Sequence, residues 1–166
     1  MTKNENLIRI FEFALAQEKH GKSYFEHSLK GMEDQAAKSA ILRLIEEEDK
    51  HIEIIERILK GLRDGAELED GGEGRVKLKG RDLFDERGKG RFLEECVLDS
   101  GSADACVFKT AYMIEKDLSE FYREMADKSE GGARKAFQML ADWEQEHARF
   151  FKEYRDRLSR LYSEMY

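Results

Sequence analysis

The sequence predicts an all-α fold, one four-helix bundle with a long crossover between its second and third helices. Three observations carry this prediction. The 166 residues include no proline and 39% are charged, which is the composition of long helices with solvated outer faces. Apolar residues recur at helical spacing in four stretches, with a single glycine-rich segment in the middle of the chain. The two halves of the chain also repeat one pattern: a helix broken by a lone glutamate, then a helix broken by Glu-x-x-His.

The first helix is expected from about Asn4 to Lys30, with Thr2 or Asn4 as N-cap and Gly31 as its end. Its stripe Leu7, Phe11, Ala14, Phe25 is broken by Glu18. Gly21 follows one turn later on the same face, where glycine disfavours a helix by about 1 kcal/mol. Close crossing of a neighbouring helix is the preferred explanation, ahead of space left beside a site. The second helix is expected from near Asp34 to about Lys60, stopped by Gly61. Glu48 and His51 interrupt its stripe Ile41, Leu44, Ile55, Ile58, Leu59, Leu62. Glu47, four residues before His51, is the competing ligand, and the other acids of that run belong to a solvated surface.

Residues 62–101 hold eight of the 13 glycines and are expected to form the crossover, with room for a short helix over Arg91 to Leu98. Parallel second and third helices would require such a span, about 40 Å for helices of this length. The third helix is expected from Ser102 or Asp104 to near Ser129, with Glu115 breaking the stripe Phe108, Ala111, Leu118, Tyr122. Gly131 and Gly132 form a tight turn. The fourth helix then runs from about Ala133 towards the end of the chain. Glu144 and His147 interrupt its stripe Phe137, Leu140, Phe151, Tyr154, Leu158, and a terminal stripe of Leu158, Leu161, Tyr162 and Met165 is expected to pack on the crossover or on another subunit.

Glu18 precedes Glu48 by 30 residues and Glu115 precedes Glu144 by 29. Of the four histidines, only His51 and His147 have a glutamate three residues earlier, and that spacing places both side chains on one helical face. His20 and His27 fall away from this face and are expected at the surface. A four-helix bundle brings the four interrupted faces to one axis. Four ionised carboxylates in an apolar core would cost more than a domain's stability without counter-charge, and Lys22 is the one obvious basic residue near the stripe. Two divalent cations balance four carboxylates and use the lone pairs of both imidazoles. This oxygen and nitrogen donor set suits iron or manganese better than calcium or a closed zinc site. The competing reading is a plain bundle whose Glu and His residues are solvated or paired with one another.

Composition narrows the function classes further. One domain, residues 1–166, is long enough for a substantial core. A net charge of −7 with no basic stripe argues against nucleic acid, and no run is long enough to span a membrane. Cys96 and Cys106 form no Cys-x-x-Cys pair. The absence of a signal-like N-terminus leads to the expectation of a cytoplasmic protein. Trp143 and the methionines of these helices are read as packing residues.

With both Glu-x-x-His motifs and both lone glutamates located, the chain resembles the ferritin-like di-iron carboxylate superfamily, most of all its rubrerythrin-like group. The resemblance covers all four helices and omits the crossover. It implies two metal ions, iron in the first instance with manganese or a mixed pair as alternatives. Glu18, Glu48 and His51 would serve one half of the site, and Glu115, Glu144 and His147 the other. Glu48 and Glu144 would bridge the ions, with Glu18 and Glu115 as terminal ligands. The implied activity is reduction of hydrogen peroxide or dioxygen by electrons from a separate donor protein; ferroxidase activity in iron handling and a non-enzymatic metal-binding bundle are the alternatives. A homodimer is the expected assembly.

Three departures from the rubrerythrin pattern bear on that activity. With Cys96 and Cys106 its two cysteines, the sequence is expected to lack the four-cysteine rubredoxin segment of a rubrerythrin and to take electrons from another protein. Leu118 replaces a further glutamate found one turn after the third-helix ligand in rubrerythrins, a residue tied to redox-dependent movement of one iron. Phe25 replaces the usual tyrosine of the first helix, whereas Tyr122 keeps the matching place in the third. Tyr122 could hydrogen-bond a ligand carboxylate or serve only as a core aromatic.

Overall fold

The computed structural model describes residues 2–68 and 102–165. Four helices account for most of them: α1 (Lys3–Leu29), α2 (Gln35–Arg63), α3 (Ser102–Asp127) and α4 (Gly131–Met165). The all-α four-helix reading therefore holds. The glycine-rich part of the crossover, the short helix expected over residues 91–98, and Cys96 lie outside the described residues. So do the side chains of the terminal stripe from Leu158 to Met165.

Local chemistry sets the helix ends. Thr2 is the N-cap of α1, and with Glu5 it completes a reciprocal capping box. Asp34 caps α2 by accepting from the Ala37 amide at 2.8 Å. Gly61 does not stop α2, which runs on to Arg63. Leu62 is buried among Ile58 and Leu59, so the apolar stripe carries the helix past a glycine whose propensity penalty is only about 1 kcal/mol. The left-handed turn is made instead by Gly65, at φ 86°. At the other hairpin Gly131 has φ 58° and α4 begins there, slightly earlier than expected.

Two hydrogen bonds establish the topology. Asp104, buried at the start of α3, accepts from the amides of Glu33 and Asp34 at 3.3 and 3.2 Å. The beginnings of α2 and α3 therefore lie together, and these helices run parallel, as the long crossover requires. Phe11 of α1 stacks on Phe137 of α4, with centroids 4.6 Å apart, and Phe25 shares a cluster with Phe151 and Tyr154. Thus α1 and α4 run together in the opposite direction.

The apolar core is divided into two layers. One contains Leu7, Phe11, Ile55, Leu59, Tyr122, Phe137 and Leu140. The other contains Phe25, Ile41, Leu44, Phe108, Phe151 and Tyr154. Between them, at the level of Glu18 on α1 and Glu144 on α4, the interior becomes polar.

Candidate metal centre

The six side chains singled out by spacing meet in this polar layer. Glu18, Glu48, His51, Glu115 and Glu144 are fully buried and His147 is 4% exposed. Each is there because its helix needs the flanking stripe inside: Leu44 and Ile55 bracket Glu48 and His51, and Leu140 and Phe151 bracket Glu144 and His147. Burial of these polar groups is thus enforced by their neighbours.

The Nδ1 atoms of both histidines face the carboxylates. His51 Nδ1 lies 2.8 Å from Glu144 Oε1 and 3.6 Å from Glu18 Oε1. His147 Nδ1 lies 3.5 Å from Glu115 Oε2, and 3.9 Å from both Glu48 Oε1 and Glu144 Oε2. Donor atoms gather into two four-residue groups: Glu18, Glu48, His51 and Glu144, and Glu48, Glu115, Glu144 and His147. Glu48 and Glu144 are common to both.

The donor set fits cations. Six buried carboxylate oxygens, one each from Glu18 and Glu144 and two each from Glu48 and Glu115, have no hydrogen-bond partner in the protein. Buried polar atoms are seldom left so. Lys22 does not supply the balancing charge, because it turns outward to Asp49 at 2.5 Å and Glu26 at 3.8 Å. Oxygen and imidazole nitrogen without sulfur match iron or manganese.

Protonation divides the glutamates into pairs. Burial pushes Glu48 and Glu144 well above the usual carboxylate range, and the neighbouring charges of Glu115 and Glu18 add to this. Burial also opposes ionisation of Glu18, but the adjacent Glu48 carboxyl and the charge of His51 outweigh it and hold its carboxyl far down. Glu115 is lowered likewise against burial, by contact with Glu144 and His147. His51 is raised despite burial, chiefly through Glu18. The two shared glutamates are thus pushed towards their protonated form and the two unshared ones towards their ionised form.

Tyr122 does both things considered for it. It is fully buried and packs near Phe137, and its hydroxyl donates to Glu18 Oε1 at 2.7 Å, tying α3 to α1. Phe25 is a core residue, and His20 and His27 are exposed. Glu47 is 5% exposed, pairs with Lys50 at 3.1 Å, and also offers a donor atom close to His51 and His147.

Gly21 is not explained by a tight crossing. A Cβ there would meet Ile114 at 3.5 Å, an ordinary contact. Gly21 instead lines a groove of about 400 Å³ between α1 and α3, with Phe13, Ile114, Leu118 and Phe121. Gly21 and Leu118 each follow a buried glutamate, Glu18 or Glu115, by one turn, so the groove overlies that side of the cluster.

Sequence reasoning read Trp143 as packing, and it does pack against the first apolar layer. Its indole lies parallel to the His51 ring, at 5.2 Å and 18°, and His51 lies parallel to His147 at 5.5 Å and 9°. The available signal was position: Trp143 is adjacent to Glu144 and one turn before His147.

Comparison with known proteins agrees with this arrangement. No curated protein and no solved structure gave a match. Residues 107–163 match the family model named Rubrerythrin, a span that takes in Glu115, Tyr122, Glu144 and His147. The second helical hairpin is thus similar to rubrerythrins, and it forms part of a four-helix bundle with buried carboxylate and histidine groups able to bind metal.

Proposed function

We propose that the chain is a non-haem di-iron redox protein that reduces hydrogen peroxide or dioxygen with electrons from a separate donor protein. The observation that supports this most is the sharing of Glu48 and Glu144 between two four-residue donor groups, the arrangement expected of bridging carboxylates. In this reading Glu18 and His51 complete one ion's ligands, and Glu115 and His147 complete the other's. Held there, a pair of ferrous ions would supply two electrons to the oxidant and Lewis acidity.

The protein's own groups have distinct tasks. Tyr122 orients Glu18 by its short hydrogen bond. The two apolar layers keep bulk water from the cluster, so charge interactions there are strong. Glu48 and Glu144 exchange protons for cations on loading. Leu118 and Gly21, in the lining of the α1–α3 groove, leave a mainly apolar approach on the side where rubrerythrins carry an extra glutamate. A cytoplasmic homodimer completes the proposal.

The test is anaerobic mixing of ferrous-loaded protein with peroxide, followed by ultraviolet-visible spectroscopy and assay of released iron. Rapid oxidation with iron retained is the expected result. Iron that is oxidised and leaves the chain points to iron handling instead, and absence of oxidation by peroxide or dioxygen contradicts both redox readings.

A further inference from the structure

The mechanism above leaves Trp143 without a role, although it is the only tryptophan of the chain and touches a candidate ligand. The residue is partly exposed and packs against the first apolar layer, where α4 brings it onto His51 of α2. From there three nearly parallel rings, Trp143, His51 and His147, lead inward. Offset parallel stacking at these separations places π-systems in contact. Parallel stacking also occurs between core rings, as in Phe11 and Phe137 at 10°; what sets Trp143 apart is that its stacking partner is the imidazole of a candidate ligand. The groove beside Gly21 and Leu118 lies across the bundle, between α1 and α3, so oxidant and electrons have separate approaches.

We infer that Trp143 conducts electrons from a one-electron protein donor at the α2–α4 surface through the His51 ring to the metal centre. The inference rests on the di-iron reading. One electron leaves the donor's reduced carrier and one ferric ion becomes ferrous; a second transfer reduces the other ion. The indole mediates and is itself neither oxidised nor reduced overall, and no bond forms or breaks. Partial exposure and a ring stacked on a candidate ligand, combined in one side chain, suit this task.

Two readouts on the full chain test it. In the first, a laser flash excites the single tryptophan in protein loaded with ferric iron or with redox-inert zinc. Excited indole should pass an electron to ferric iron, so a tryptophan radical cation and ferrous iron appear in equal amounts and decay together as the electron returns. The zinc form should show no radical. In the second, anaerobic reduction of the ferric protein by flavin mononucleotide hydroquinone is timed by stopped flow. Trp143→Leu should slow reduction about tenfold, and Trp143→Phe, which keeps an aromatic ring, should restore much of the rate. Iron content should be unchanged in both variants, and Trp143→Leu, which removes packing against the first apolar layer, should lower the melting temperature without loss of iron. Absence of the radical in the ferric form, or equal reduction rates in Trp143→Leu and the parent, overturns the inference while leaving the centre intact. Failure of the parent chain to bind iron overturns the di-iron reading together with it.

Discussion

The hydroxyl of Tyr122 illustrates how one side chain can serve packing and chemistry together. Its ring fills the apolar layer beside Phe137 while its oxygen reaches Glu18 on another helix. Tyr122→Phe keeps the packing and removes a hydrogen bond to an ionised group, worth about 1.5–3 kcal/mol. Denaturant melts of the metal-free protein should show a loss of this order, and metal titration should show affinity weakened about tenfold. The protonation pattern makes a second prediction at this scale. Glu48 and Glu144 have raised values in the fold, so their protonated forms stabilise the metal-free protein most below the unfolded carboxylate value near 4.5. That contribution is lost as pH rises through the folded values. His51, also raised, acts in the same direction. Glu18 and Glu115 are lowered, and their contribution disappears only as pH falls below the ordinary carboxylate range. Metal-free protein should therefore melt at higher temperature near about pH 5 than near about pH 8. Cations held by Glu48 and Glu144, whose carboxyls burial raises, would compete with protons, so calorimetry in buffers of different ionisation enthalpy should detect proton release, and affinity should rise with pH.

At the scale of elements, the bundle depends on where helices begin. Asp104 holds the α1–α2 turn by two amide hydrogen bonds, although its own helix starts after the long crossover. Asp104→Ala leaves two amides without that acceptor and should cost about 2 kcal/mol in chemical denaturation. Phe137→Ala opens the layer next to the cluster and should cost about 3–5 kcal/mol. By contrast, the exposed pair Arg63–Glu12 at 2.7 Å should contribute less than about 1 kcal/mol. The helices and their stripes were legible in the sequence because helical periodicity is a local property. The end of α2 was not. Gly61 looked like a stop, but burial of Leu62 one residue later is a tertiary effect that outweighs a local preference. The role of Asp104 was equally hidden, since its partners lie about 70 residues away.

For the molecule as a whole, polar residues inside an apolar stripe were the most informative feature of the sequence. Glu18, Glu48, His51, Glu115, Glu144 and His147 were readable because each broke a helical pattern, and the topology then brings all six to one layer. Relations between rings were not readable. The alignment of Trp143 with His51 depends on how α2 and α4 approach each other, which periodicity within one helix does not encode. Gly21 was misjudged for the same reason, because the groove it lines belongs to two helices. The net charge of −7 favours cation uptake in a general way; the centre itself depends on the six side chains. Their assignment is tested most directly by metal content after anaerobic expression in iron-supplemented medium, measured for the parent chain, Glu144→Ala and Glu47→Ala. The account predicts about two irons per chain in the parent and in Glu47→Ala, and loss of the dinuclear centre in Glu144→Ala. A parent chain without stoichiometric metal, or a Glu144→Ala variant that still holds two ions, would contradict it.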